Sequence, residues 1–404
     1  MLFDIGAAVR GIERHGRRNW LTQELTLAFD EARKGKLKTY DEHTFDLNWI
    51  QNLTQLTEAI LEERYRPGAS TTFVVFEPMV REIFAARFRD RVVHHFLSRI
   101  CGDWWDRRFI HNSFACRTGK GTLEANKAAQ HLMRSAREEA KRRARESGYP
   151  TAAWRSSKFM PVIIKLDIKG YFMSLPRKKV YARIKWGLDR QFAPYLGHPD
   201  GFWLYKICCF LWKQVLFDDP VAKAVKKGKL SNWDPEVLPP RKSLFCQPPG
   251  VGIVIGNNTS QLASNVYLDQ FDRFVTMELG YKRYGRYVDD FFFIVQAHEY
   301  PQAKQDVKRM AKYLRREMEL TLHPHKRYYQ SLEKGMEFVG ARIYPDCRYP
   351  SDRMRQKFRI AANEVAAGIK EPESVISYLG LMYHLDSGNY LRDFFDQVGW
   401  DFRG

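Results

Sequence analysis

The sequence predicts an α+β protein of two or three packed subdomains, and three observations predict it. Runs of helical periodicity occupy both ends of the chain. Short apolar strands tipped with carboxylates lie between them. Their order is a strand ending in Asp, a long connection, a Gly turn and helix, an Asp-Asp hairpin, a helix and a strand, which is the order of a split βαβ sheet. The 404 residues are 44% hydrophobic, enough for a large core and too many for one small domain.

The N-terminal region 1–70 reads as helical. Trp20–Ala32 and Leu47–Glu63 place apolar residues at three- and four-residue intervals, and Pro67-Gly68 closes the second run. Thr71–Phe76 is β-rich, Arg81–Phe84 continues it after Pro78, and Arg91–Ile100 is helical again. Residues 132–158 are strongly basic and suit either a solvated helix face or a nucleic-acid contact. Val162–Ile168 is a short apolar run carrying Asp167 near its end, as in a buried central strand. Residues 185–247 have mixed periodicity and read as an insertion of undefined fold. Gly250–Gly256 is a Gly-bounded turn leading into a helix, Ser260–Leu279. Tyr284–Val288 and Phe291–Val295 are the arms of a hairpin around Asp289-Asp290. Gln302–Glu319 reads as an amphipathic helix, Phe338–Ile343 as one strand, and 352–404 as mostly helical.

The formal charge is +19 and the pI about 9.6, with Lys and Arg spread along the chain. Such an excess points to a polyanionic partner, nucleic acid being the commonest. Aromatics make up 14%, which suits base stacking beside basic groups and suits an ordinary core equally well. No run of eighteen apolar residues occurs, and Met1-Leu2-Phe3-Asp4-Ile5-Gly6 lacks the form of a signal peptide. The six cysteines form no CxxC pair and have no His cluster at zinc spacing. The expectation is free thiols, no membrane partner and a reducing cytoplasmic setting.

The chemistry-bearing residues are Asp167, Asp289 and Asp290. Nucleotidyl transfer needs two divalent cations a few ångström apart, and Mg2+ takes hard oxygen ligands, so carboxylates must converge at one point. Adjacent strands can deliver them. An Asp at a strand end is also an ordinary turn former, but two adjacent acids flanked by Phe291-Phe292-Phe293 are costly without a cation.

Seven blocks in order carry a resemblance. They are Glu77-Pro78-Met79-Val80-Arg81-Glu82-Ile83, Ser113-Phe114-Ala115-Cys116-Arg117-Thr118-Gly119-Lys120-Gly121-Thr122 and Lys165-Leu166-Asp167-Ile168-Lys169-Gly170-Tyr171-Phe172. Ile255-Gly256-Asn257-Asn258-Thr259-Ser260-Gln261 and Tyr287-Val288-Asp289-Asp290 follow, then Leu322-His323-Pro324-His325-Lys326 and Glu337-Phe338-Val339-Gly340. Over most of 70–345 the sequence resembles the reverse transcriptase family. The resemblance implies a right-hand polymerase fold: a helical extension over 1–70, fingers over 71–166, a palm over 167–345 with the 185–247 insertion, and a helical thumb over 346–404.

It also implies roles. Asp167, Asp289 and Asp290 would hold two Mg2+ ions, or Mn2+ in their place, with the Ile168 carbonyl as a further ligand. Phe172, five residues after Asp167, would exclude a 2′-hydroxyl; a core Phe is the alternative. Arg81 and Arg117 would clamp the dNTP triphosphate, as guanidinium forks suit phosphate. Relatives carry Lys where this chain has Met79, which alters that clamp. Gly256 would let backbone approach the nascent pair. Lys326 would protonate the pyrophosphate, or be a solvated Lys. Gln261, Phe338 and Gly340 would contact template and primer, although the apolar pattern at Phe338 also fits a core.

Ile255 stands where many members have Gln. Ile255-Gly256-x-x-x-Ser260-Gln261, Arg89-Asp90-Arg91-Val92-Val93-His94-His95, Lys242-Ser243-Leu244-Phe245 and Ser377-Tyr378-Leu379-Gly380 resemble the enzymes of bacterial and phage diversity-generating retroelements. That implies error-prone cDNA synthesis on a structured template RNA, chiefly at adenines, with a small basic accessory protein oligomer as partner. The alternatives are an antiphage-defence reverse transcriptase making DNA from a non-coding RNA or without a template, and a non-catalytic RNA-binding protein on a polymerase scaffold.

Overall fold

The computed structural model describes residues 3–34, 39–76 and 79–398. Met1, Leu2, residues 35–38, the Glu77-Pro78 start of the first block and residues 399–404 lie outside the described residues. In chain order the elements are α1 (Ile5–Arg33), α2 (Tyr40–Leu47), α3 (Trp49–Leu61), β1 (Thr71–Val75), β2 (Arg81–Ala85), α4 (Phe88–Asp106), α5 (Thr122–Glu146), β3 (Val162–Ile168), α6 (Tyr171–Ser174), α7 (Arg177–Phe192), α8 (Pro199–Phe217), α9 (Pro220–Lys223) and β4 (Val225–Lys226). Then come α10 (Asn258–Arg273), β5 (Tyr284–Tyr287), β6 (Asp290–Val295), α11 (Tyr300–Met318), β7 (Leu322–Ser331), β8 (Met336–Phe338), β9 (Ala341–Ile343), β10 (Arg348–Pro350), α12 (Asp352–Ala366), α13 (Glu373–Met382) and α14 (Gly388–Val398). The fold is α+β.

The chain divides into two compact units. The first holds Met1–Phe109, Lys169–Asp272 and Tyr313–Thr321. In it, α1 begins on Asp4, whose carboxylate accepts the Gly6 N–H at 2.8 Å. Its stripe Leu21, Leu25, Ala28, Phe29 and Ala32 is buried, at the spacing that lines one helix face. β1 and β2 pair antiparallel from Thr71–Ala85 to Val75–Arg81. The 185–247 stretch is part of this unit. β4 adds to β1 in parallel, and the buried Glu82 of β2 accepts from Trp233 Nε1 (2.9 Å), Ser243 Oγ (3.1 Å) and the Leu244 N–H (2.6 Å). Burial raises the Glu82 pKa against these hydrogen bonds, so this tie is satisfied but costly.

The second unit holds Ile110–Ile168, Arg273–Lys312 and Leu322–Gly404. Its four-stranded sheet has the order β5-β6-β3-β7, each neighbouring pair antiparallel. β3 is a central strand, as its apolar run predicts. α5 covers one face with an alanine stripe, Ala125, Ala129, Ala136 and Ala140, packed into a core with Ile163, Phe292 and Ile294. Small side chains let a helix approach a sheet closely. Two residues of the basic region are tied down: Arg137 pairs with Asp346, and Glu139 pairs with Arg283. The expected strand Phe338–Ile343 is instead the β8–β9 hairpin. Val339 (φ 45°) and Gly340 (φ 81°) take left-handed backbone and reverse the chain. Helices α12 to α14 enclose their own cluster around Phe358, Met382, Phe394 and Phe395.

Among the described residues no helix is long and apolar enough to cross a membrane. All six cysteines are free, and Cys208 is fully buried.

Candidate active site

The sheet of the second unit brings the three carboxylates together. Across the β3–β6 ladder Asp167 lies directly opposite Asp290, so their side chains share a face. Asp289 sits at the tip between β5 and β6, and its carbonyl accepts the Ile168 N–H at 3.1 Å. Ile168 itself is buried. Val288, just before the acids, has φ 54°. A β-branched residue in left-handed backbone costs about 1–2 kcal/mol and persists only where its surroundings hold it.

The charges at this edge are unbalanced in a telling way. Burial first, then Asp167, then Asp290, push the Asp289 carboxyl from 3.8 up to about 7, against the pull of its own backbone and Lys326. Burial also raises Asp290, opposed by Lys165, whose Nζ lies 2.9 Å from Asp290 Oδ2. Lys326 Nζ donates to Asp167 Oδ2 at 2.9 Å. Burial of Lys326 opposes its charge, but Asp167 and then Asp289 and Asp290 outweigh it, and its pKa rises. Lys326 is 47% exposed, so this pair adds little stability; its interest is where it puts an ammonium.

Two residues of this edge have roles that the motifs alone do not reveal. Lys165 lies two positions before Asp167, on the same sheet face, and reaches Asp290 diagonally; alternation along the strand could have flagged it. Arg286 is fully buried. Its Nη1 donates to the Val288 carbonyl at 2.9 Å and its Nη2 to Ser113 Oγ at 3.0 Å. Its backbone N–H donates to Asn112 O and its carbonyl accepts from Phe114 N. An arginine between Gly285 and Tyr287, within a hairpin arm, is the only sequence sign of it.

Arg117 also lies in the second unit. Its Nη1 donates to the Ile110 and Ser113 carbonyls at 2.9 and 2.8 Å, so it braces its own loop. Phe338 is fully buried and packs edge-on to Phe292 with ring centroids 5.0 Å apart. A fully buried ring fits the core alternative of its apolar pattern, and leaves any primer contact of this strand to its backbone. Gly340 is at the hairpin tip, where a Cβ would meet Met354 Cε at 2.9 Å and its carbonyl accepts the Ser351 N–H.

The remaining residues lie in the first unit. Arg81 begins β2 opposite Val75, half-buried, beside the exposed Met79. Phe172 lies on α6, half-buried, edge-on to Tyr171, and its carbonyl accepts the Ile253 N–H at 2.8 Å. The Ile255 carbonyl accepts the Phe84 N–H at 2.9 Å, and its side chain packs on the Phe84, Met173 and Leu244 cluster. Gly256 (φ 129°) has a structural reason of its own: a Cβ there would lie 2.8 Å from the Phe84 carbonyl. Gln261 is exposed on the first turn of α10.

Among the described residues no three His, Cys, Asp or Glu side chains form a group that would by itself enclose a metal ion. The donor chemistry still fits a hard cation bound by fewer protein ligands. Asp289 and Asp167 repel each other while both are ionised, and carboxylate oxygens are the donors a hard cation takes. Asp290 is drawn to Lys165. No model of a known protein family matches the chain, and no curated protein matches it.

Proposed function

We propose that the chain is a metal-dependent nucleotidyltransferase, an RNA-directed DNA polymerase of right-hand architecture. The observation that carries this reading is the register that sets Asp167 opposite Asp290 with Asp289 at the adjoining tip. Carboxylates gathered at the end of a central strand, one with its pKa raised to about 7 by burial and its neighbours, support the reading of a functional site. The order of the seven blocks and the charge of +19 support the same reading.

In the reaction a primer 3′-hydroxyl attacks the α-phosphorus of a dNTP and pyrophosphate leaves. Two Mg2+ ions, held by Asp167 and Asp289, would supply Lewis acidity at the attacking and leaving oxygens. Asp290, paired with Lys165, would add its negative charge to the same site. Lys326 presents a protonated Nζ beside Asp167, a donor for the leaving pyrophosphate. By resemblance Phe172, Arg81, Arg117, Ile255, Gly256 and Gln261 meet the nucleotide and the paired strands. The exposed run Pro324–Tyr329 of β7, with Lys326, Arg327, Tyr328 and Tyr329, has the basic and aromatic mix that suits single strands.

The biological role we assign is error-prone cDNA synthesis on a structured template RNA, with a small basic accessory oligomer. Ile255, an apolar side chain seated on an apolar cluster, supports it, since a site that offers no hydrogen bond discriminates bases less. The test is dNTP incorporation by the purified protein on RNA with Mg2+, followed by sequencing of the product. Incorporation that Asp289→Asn abolishes, with errors concentrated at template adenines, is expected. No incorporation with native RNA and partner present overturns the enzyme; uniform accuracy at adenines overturns the retroelement role and favours a defence enzyme.

A further inference from the structure

We infer that Arg286 is the positioning residue of the Asp289 carboxylate, acting through the strained Val288 peptide from inside the unit. This rests on the polymerase reading of the same site. Arg286 is fully buried, so it touches no substrate.

The peptides on both sides of Asp289 are pinned. The carbonyl before it, Val288 O, accepts from Arg286 Nη1 at 2.9 Å. The carbonyl after it, Asp289 O, accepts from the Ile168 N–H at 3.1 Å. With both carbonyls fixed, the backbone of Asp289 has one direction in which to project its side chain. The second hold comes with the β3–β6 ladder and would exist beside any residue at 286. The first does not: it requires a long side chain with a donor at its end.

Val288 shows why that donor is needed. Its left-handed φ of 54° is a conformation that valine leaves when nothing opposes it. A hairpin tip of Asn or Gly would hold that conformation unaided; this tip has neither. Arg286 is itself anchored through Nη2 on Ser113 Oγ and through its backbone on Asn112 O and Phe114 N. Asn112 Nδ2 in turn donates to the Tyr284 carbonyl. The segment Asn112–Phe114 therefore runs along β5 as a brace, and Arg286 transmits its position to the tip. The block Ser113–Thr122 gains a role here that its resemblance to a triphosphate clamp does not supply.

Glycine at 288 takes left-handed backbone without strain, so it should replace the hold that Arg286 provides. The experiment compares wild type, Arg286→Met, Arg286→Lys, Val288→Gly and the double variant R286M/V288G. Mn2+ binding is followed by electron paramagnetic resonance, kcat and the half-activating Mg2+ concentration on an RNA template–primer, and template–primer Kd. R286M is expected to lower kcat by about 100-fold and to weaken metal binding by about 10-fold, with template–primer Kd within about twofold of wild type. R286K, which keeps one charged donor, should fall between. Adding V288G should return at least about tenfold of the lost kcat and most of the metal affinity. A residue that only supports the fold would not be rescued by a glycine at the tip.

The inference is overturned if R286M keeps wild-type kcat and metal affinity, or if V288G restores neither. Should R286M fail to fold, R286K with and without V288G is read by the same criteria. Wild type that binds no Mn2+ and incorporates no nucleotide overturns the polymerase reading and this inference with it. Wild type active in both with R286M unchanged overturns the inference alone.

Discussion

Two hairpin tips in the second unit turn on the same distortion and put it to different ends. Val288 between β5 and β6, and Val339 between β8 and β9, are both valines in left-handed backbone, at φ 54° and 45°. After Val339 comes Gly340, which continues the turn without strain at φ 81°, and before it comes Phe338, sunk in the core against Phe292. After Val288 come two acids, and beneath it a buried arginine. One tip closes a corner of the core. The other holds half-buried charges whose ionisation the protein opposes. A strained residue that apolar packing explains is architecture; one that costly charges surround is a candidate for function.

The largest effect expected from breaking this contrast is at Asp289. Asp289→Asn should lower nucleotide incorporation by at least about a thousandfold, and it should also stabilise the metal-free protein. The sign follows from linkage. The folded-state pKa of Asp289 is raised from 3.8 to about 7, so the folded form binds this proton more tightly than the unfolded one. Metal-free stability therefore falls as pH rises from about 4 to about 7. Calorimetry without metal should show equal melting temperatures for wild type and D289N near pH 4 and a higher one for D289N at pH 8. A higher wild-type value at pH 8 would remove the electrostatic account of this tip.

At the other tip, Phe338→Ala should cost about 3–5 kcal/mol in urea unfolding, the usual penalty for emptying an aromatic core position. Template–primer affinity measured well below the unfolding midpoint should not change. A loss of affinity without loss of stability would give the Phe338 side chain a part in the primer contact. Gly340→Ala should cost about 1–2 kcal/mol, from the positive φ and from the Cβ that would press on Met354. The smallest effect belongs to the sheet edge. Tyr328→Ala should weaken single-stranded RNA binding by about 1 kcal/mol of stacking, read by fluorescence titration at fixed salt, with stability unchanged because Tyr328 is 54% exposed.

The contrast also marks what the sequence could tell. Val162–Ile168, the Asp-Asp hairpin and the helix after Gly256 are legible because each is a local pattern: an apolar run, a paired acid between β-rich arms, a glycine before a helical stripe. The two valines are not legible. A β-branched residue signals strand, so Phe338–Ile343 reads as one strand and hides its turn. Lys165 and Arg286 were equally hidden, because a diagonal ion pair and a buried guanidinium depend on register between segments far apart in the chain. Gly256 read as room for a nucleotide, but its close neighbour within its own unit is the Phe84 carbonyl. Residues 185–247 resisted because α8 carries apolar groups outside as well as in. Phe202 and Phe217 are exposed while Leu204, Cys208 and Leu211 are buried, which blurs the helical stripe.

The measurement closest to the central claim is dNTP incorporation on an RNA template–primer, with and without Mg2+, for wild type, Asp167→Asn and Asp289→Asn. The account predicts Mg2+-dependent extension by wild type and none above background by either variant, with all three binding the template–primer alike. Extension by the variants at the wild-type rate, or by wild type without a divalent cation, would contradict it.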